Sequence, residues 1–103
     1  MERAEYFLNF KKYAEEIKRI LKEHLSEFEV YVFGSVVRGD YSIGLSDIDI
    51  AVVSDELKDR EKKLEIYDLL LEKFFETPFE FHLLTKEKWK FYLRFIKNDY
   101  VKI

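Results

Sequence analysis

"FGSVVRGDYSIGLSDIDIAVV", residues 33–53, sets a Gly-Ser turn about a dozen residues ahead of two aspartates separated by a single residue. The fold hangs on how its two ends are read. "EVYVF", residues 29–33, is a β-branched and aromatic run that stops at Gly34 and predicts a strand. "SDIDIAVV", residues 46–53, alternates at first and then becomes continuously apolar, the pattern of a central strand covered on both faces. Between them "SVVR" supplies one or two helical turns, and Gly39 and Gly44 punctuate the loop.

Outward from this unit, residues 4–28 repeat Tyr6, Phe7, Phe10, Tyr13, Ala14, Ile17, Ile20, Leu21, Leu25 and Phe28 at steps of three or four. That spacing predicts one long amphipathic helix. On the other side "SDE", residues 54–56, has the composition of a helix start, and Leu57, Leu64, Tyr67, Leu70, Leu71 and Phe74 follow at helical spacing until Pro78. "FEFHLL", residues 79–84, alternates as a third strand, and a last helix from Lys86 to Asn98 presents Trp89, Tyr92, Leu93 and Ile96 on one side. The expected architecture is an α/β (α+β) domain over residues 1–103, a small mixed sheet of three or more strands packed with helices.

Composition narrows the function classes. With 103 residues, 48% of them hydrophobic, the chain is expected to build one core. Ten Phe, seven Tyr and Trp89 exceed what so small a core encloses, so a subunit interface is expected. The net charge of −3 is unevenly spread: residues 30–85 hold twelve acids against six bases, residues 86–103 six bases against two acids. An acidic middle suits cations and repels bare phosphate. The basic end faces an anionic ligand or is the polar face of the last helix. The absence of cysteine excludes disulfides, thiol nucleophiles and cysteine-ligated zinc. No apolar run reaches membrane-spanning length and "MERAEYFLNF" lacks a signal-peptide pattern, so a cytoplasmic, membrane-independent protein is expected.

On a strand, residues two apart share a face, so Asp47 and Asp49 are expected side by side, about 6–7 Å apart, while Ile48 and Ile50 turn into the core. Adjacent carboxylates repel unless a cation neutralises them. Mg2+ or Mn2+ fits, being hard, oxygen-seeking and able to share its shell with phosphates. Glu80 is the expected third ligand, because Phe79 and Phe81 face the core and it must face away; His82 shares that face and could line the site. Gly34 and Ser35, at a strand end turning into a helix, offer backbone N–H groups and a hydroxyl to phosphate oxygens. Arg38 can pair with Asp47 or Asp49 or contact a phosphate. Singly each feature is ordinary: a turn, a solvent-facing acid pair, an exposed glutamate. Their conjunction in one strand–turn–strand unit with an acid on the next strand is the signal. Asp40 and Asp55 read as turn or cap residues, His24 as structural, Tyr31 as packing, and Tyr41 as packing or a contact to a base.

Gly34, Ser35, Arg38, Gly39, Ser46, Asp47, Asp49 and Val52 reproduce the pattern G-S-x-x-R-G…S-D-x-D-x-x-V, which resembles that of the polymerase-beta-like nucleotidyltransferases in their minimal (MNT) form. The resemblance implies that Gly34 and Ser35, with Arg38 and Ser46, hold a nucleoside triphosphate. It implies that Asp47 and Asp49 ligate two Mg2+ ions, and that the acid on the following strand, here Glu80 where many relatives have Asp, activates an acceptor hydroxyl. By the same resemblance the chain is expected to transfer AMP from ATP to a tyrosine of an all-helical HEPN partner, as an antitoxin. The alternative from another class is a non-catalytic MNT-fold protein that neutralises a HEPN partner by binding alone; regulatory nucleotide binding is a third. A homodimer is possible in either case, and no direct DNA binding is expected.

Overall fold

The computed structural model describes residues 2–103. Its described elements run α1 (Arg3–Leu8), α2 (Phe10–Leu21), β1 (Glu29–Phe33), α3 (Ser35–Arg38), β2 (Ile48–Val53), a 3-10 turn (Asp55–Lys58), α4 (Arg60–Phe74), β3 (Phe79–Leu84), α5 (Lys86–Ile96) and β4 (Tyr100–Lys102). The strands form one mixed sheet in the order β3-β2-β1-β4. β1 runs antiparallel to both β2 and β4, whereas β2 and β3 are parallel, as a crossover through α4 requires. The expected mixed sheet packed with helices is what the chain forms.

Alternation assigns the two faces. Val30, Val32, Ile48, Ile50, Val52, Phe79 and Leu83 pack with Ala14, Ile17 and Leu21 of α2 and Ile66 and Leu70 of α4 in the larger core. The intervening residues Tyr31, Phe33, Ala51, Val53 and Leu84 pack on Trp89 of α5. Tyr31 stacks on Trp89 with ring centroids 4.5 Å apart. Ser54, fully buried, ends β2: its hydroxyl donates to the Glu27 carbonyl (2.7 Å) and accepts from Glu56 N–H (3.1 Å).

Three elements differ from the sequence expectation. The helix expected over 4–28 is divided at Asn9, whose N–H closes α1 on the Glu5 carbonyl at 3.0 Å, and α2 ends at Leu21. The apolar stripe runs through both interruptions: Phe7 and Tyr13 flank Asn9, and Leu25, beyond the helix, is still buried. Periodicity therefore continues where the hydrogen bonding does not. In α4 the buried positions are Ile66 and Leu70, while Leu64, Tyr67 and Leu71, expected on the core stripe, face outward. β4 has no sequence signature, since three residues are too few to display a period of two; it is held as a strand by pairing Tyr31 with Lys102 and Phe33 with Tyr100.

β4 also fixes a polar clasp. Lys102 Nζ pairs with Glu29 Oε2 at 2.8 Å, and Tyr31 O–H donates to Glu29 Oε1 at 2.8 Å. The Lys102 and Tyr31 contacts hold the Glu29 carboxyl below its ordinary range. Burial, and then the Glu29 carboxylate, push the Tyr31 phenol up to about 12. A raised phenol favours the folded state fully below the unfolded value near 10 and loses that contribution as pH climbs towards 12. Denaturant unfolding of the wild type should therefore lose about 1.4 kcal/mol from this group by pH 11. Tyr31→Phe should be less stable near neutrality but show a shallower decline between pH 9 and pH 11.

Candidate functional site

The site lies on the α5 face of the sheet, where the ends of β1, β2 and β3 meet. Parallel pairing sets Asp49 of β2 directly opposite Glu80 of β3, and Ala51 opposite His82. On the other flank Asp49 stands opposite Phe33, so the chain turns at Gly34 beside its carboxylate. Apolar Ile48, Ile50, Phe79 and Phe81 point the other way, which leaves Asp49, Glu80 and His82 together on one face. One ligand atom from each of the three lies within 4.8 Å of the other two.

Each member is held differently. Asp49 is half-buried, and its Oδ1 lies 3.0 Å from His82 Nε2. The His82 ring packs at 5.1 Å from Phe33 and 5.7 Å from Tyr92, whose hydroxyl lies 3.4 Å from His82 Nδ1. A Tyr92 hydroxyl donating to Nδ1 leaves Nε2–H to donate to Asp49, so the imidazole orients the carboxylate. Glu80 is exposed and has no hydrogen-bond or ion-pair partner among the described residues. The second carboxylate of the sequence pair stands apart: Asp47 precedes β2, is exposed, and lies 3.7 Å from Arg3 of α1. The same guanidinium donates to the carbonyls of Ile43 and Ser46 and so ties the loop to α1. Asp47 is outside the three-residue cluster.

Of the turn residues expected at a nucleotide, Gly34 lies against this cluster, and several others are committed within the protein. Gly34 has φ +89° and ψ −153°, a region essentially confined to glycine. A Cβ built there would lie 2.6 Å from Asp49 Oδ2, so the carboxylate rests against the bare Cα. The Gly34 N–H donates to the Asp99 carbonyl at 3.3 Å. Ser35 opens α3; its N–H and hydroxyl and the Val36 N–H have no protein partner among the described residues. Arg38 pairs with Asp40 at 3.2 Å rather than with Asp47 or Asp49. The Ser46 hydroxyl accepts from Ser42 N–H at 2.9 Å and braces the loop. Tyr41 stacks on Phe7, centroids 4.9 Å apart. Asp55 accepts from Lys86 N–H at 3.1 Å, a helix-start contact, as its loop position suggested.

The donors fit a divalent cation. Ligands on opposite sides of Mg2+ are about 4.2 Å apart, so atoms already within 4.8 Å close on it by side-chain rotation. Two carboxylates favour a hard ion, and the imidazole also admits softer ones. Sequence reasoning had placed His82 on this face but missed Tyr92 and Arg3. Tyr92 reads as one of a helix's apolar positions, and Arg3 lies more than forty residues from the aspartate that it meets.

Gly34 is where backbone and site are least separable. Gly34→Ala should lose about 1–3 kcal/mol to backbone strain and displace Asp49. Gly39→Ala should lose about 1 kcal/mol, because Gly39 shares a positive φ of +86° but has no atom within 4 Å of its added Cβ. Denaturant unfolding and Mn2+ titration of both variants check this; only Gly34→Ala should weaken the cation.

The comparisons with known proteins agree with this geometry. Residues 14–103 match the nucleotidyltransferase domain family. A crystal structure of a protein named, by inference, a nucleotidyltransferase superimposes with a TM-score of 0.77 at 54% identity, covering 86% of this chain and 95% of that one. A second, from Sulfolobus solfataricus and named in the same way, gives a TM-score of 0.66 at 25% identity over 99% of this chain and 86% of its own. No curated protein matches the sequence. With the matched segment covering β1 to β4 and the whole acid cluster, the chain belongs to the nucleotidyltransferase domain family.

Proposed function

We propose that this nucleotidyltransferase moves AMP from ATP to a protein hydroxyl, a tyrosine of a HEPN-type helical partner, and so acts as its antitoxin. The observation that carries the transfer reading is the convergence of the Gly34 turn, Asp49 and Glu80 at one sheet end, a glycine-lined phosphate approach beside two carboxylates. The partner rests on the sequence resemblance, supported by large aromatics left on the surface: Phe75, Phe91 and Phe95 are exposed by 50% or more.

The roles follow from position. Ser35, through its N–H and hydroxyl, and Val36 N–H contact the triphosphate at the Gly34 turn. Arg38, exposed and paired with Asp40, exchanges that partner for a phosphate oxygen. Asp49, with Glu80, would hold the divalent cations, two Mg2+ ions in this reading, and Asp47 would join them on leaving Arg3. When bound, such ions supply charge neutralisation at the α-phosphate and the departing pyrophosphate. Glu80, unpaired and exposed, takes the proton of the acceptor hydroxyl as its oxygen bonds to the α-phosphorus and the bond to pyrophosphate breaks. The protein provides positioning and electrostatics, and no covalent intermediate is needed.

Glu80→Gln keeps the side chain's size and removes its charge. It should lower transfer of labelled AMP by one to three orders of magnitude, about 1.4 kcal/mol per order, with nearly unchanged ATP affinity. Asp47→Ala combined with Asp49→Ala should abolish Mg2+-dependent ATP binding. Wild-type protein that neutralises a HEPN partner equally well without ATP, and with either variant, would replace this reading with neutralisation by binding alone.

A further inference from the structure

Beside the site, the outer edge of β3 opens into a cavity of about 960 Å³. Five consecutive residues, Phe81 to Thr85, form its floor; α4 supplies Lys63, Leu64 and Tyr67, α5 supplies Glu87, Lys88, Phe91 and Tyr92, and Leu57 completes the lining. Among the described residues β3 is an edge strand with β2 as its one sheet neighbour. The ladder's end bonds, Ile48 N–H to Pro78 O at 2.8 Å and Ser54 N–H to Leu84 O at 2.9 Å, fix which peptide groups face inward. The even-numbered β3 residues bond to β2, so the N–H and C=O of Phe81 and Leu83 point out of the sheet into the cavity. Such an edge is a template for another strand.

The walls differ in character. α4 and the residue that caps it carry a second apolar stripe, Leu64, Tyr67, Leu71 and Phe75, all exposed by 40% or more. An apolar face of that length on a surface helix marks a contact. The α5 wall sets Phe91 beside Lys88 and Glu87, in a helix holding four cations, Lys86, Lys88, Lys90 and Arg94, against the single acid Glu87. His82 of the floor belongs to the acid cluster, and Tyr92 of this wall lies 3.4 Å from its Nδ1, so the groove and the site are continuous.

We propose that this groove receives an extended, acidic segment of a partner protein as a fifth strand against β3, and that the segment carries the acceptor hydroxyl. The proposal rests on the transfer reading for the role of that hydroxyl, and on the groove alone for the docking. Recognition follows from alternation: side chains turned towards α4 are apolar, to cover Leu64 and Tyr67, and those turned towards α5 are acidic, to meet Lys88. The residue opposite His82 on the α5 face lies about 5 Å from it across the strands, within reach of Glu80 for a tyrosine. A second copy fits less well. Antiparallel pairing of two β3 edges about a two-fold axis brings Lys63 and Lys88 of each copy towards the same cations of the other.

The test uses synthetic nonapeptides with valine at alternate positions, a central tyrosine, and either glutamate or lysine at the remaining positions. Fluorescence anisotropy without nucleotide should show the glutamate peptide binding at least tenfold more tightly than the lysine peptide, and Leu64→Glu or Lys88→Glu should weaken it about tenfold. Both substitutions are at exposed positions. Hydrogen exchange should show Phe81 and Leu83 amides protected by the peptide. Equal binding of both peptides, no binding, or protection confined to other strands would overturn the proposal. So would a homodimer in sedimentation that already protects these two amides. With Mg2+ and labelled ATP, binding with amide protection but no label on the tyrosine keeps the docking and removes the transfer reading. Transfer to other acceptors by a protein that ignores the peptides does the reverse.

Discussion

The arrangement depends on one close approach, the carboxylate of Asp49 lying on the bare Cα of Gly34. It requires a residue without a side chain at a backbone angle that other residues avoid, and it requires β1 and β2 to be paired in the register that sets Phe33 opposite Asp49. A slip of one residue would turn the carboxylate into the apolar face and Ile48 and Ile50 out of it. The burial of those two isoleucines therefore does more than stabilise the sheet. It fixes the side on which the acid emerges.

The sheet's two faces divide the work. One is sealed by α1, α2 and α4 in the larger, mostly aliphatic core. The other is only partly covered, by α5, through the aromatic cluster of Tyr31, Phe33 and Trp89. At the margin of that cluster, apolar packing gives way to His82, Asp49 and Glu80. The imidazole is the join: its faces meet Phe33 and Tyr92, and its nitrogens meet a hydroxyl and a carboxylate. An aromatic face thus immobilises a charged one, which gives rigidity next to solvent.

Much of this was legible in the sequence because it follows from short-range rules. The alternation in "FEFHLL" gave the face of Glu80, and the Gly34 turn with the run after Asp49 gave β1 and β2. What escaped was the choice among partners and packing faces. Nothing local in Asp47 shows that Arg3 will hold it away from Asp49, and nothing in Arg38 shows that Asp40, two residues on, will be its partner. Asn9 divides a helix without interrupting its apolar stripe. Leu64, Tyr67 and Leu71 have the spacing of core residues, and only the packing of α4 through Ile66 and Leu70 shows that they form a second face. β4 exists because β1 offers it an edge.

The parallel pairing of β2 and β3 has a consequence for synthesis. The strand holding Asp49 can pair with β1 as soon as both have left the ribosome, but Glu80 joins only after the α4 crossover is made, and the carbonyl of Asp99 reaches the Gly34 turn only with the approach to β4. Contacts of such sequence separation form late. A growing chain thus carries its sheet centre well before it carries a working cleft, and a translation intermediate stopped within α4 would display aspartates with no glutamate beside them. Competence to handle a nucleotide is reserved for a chain that has grown past α5.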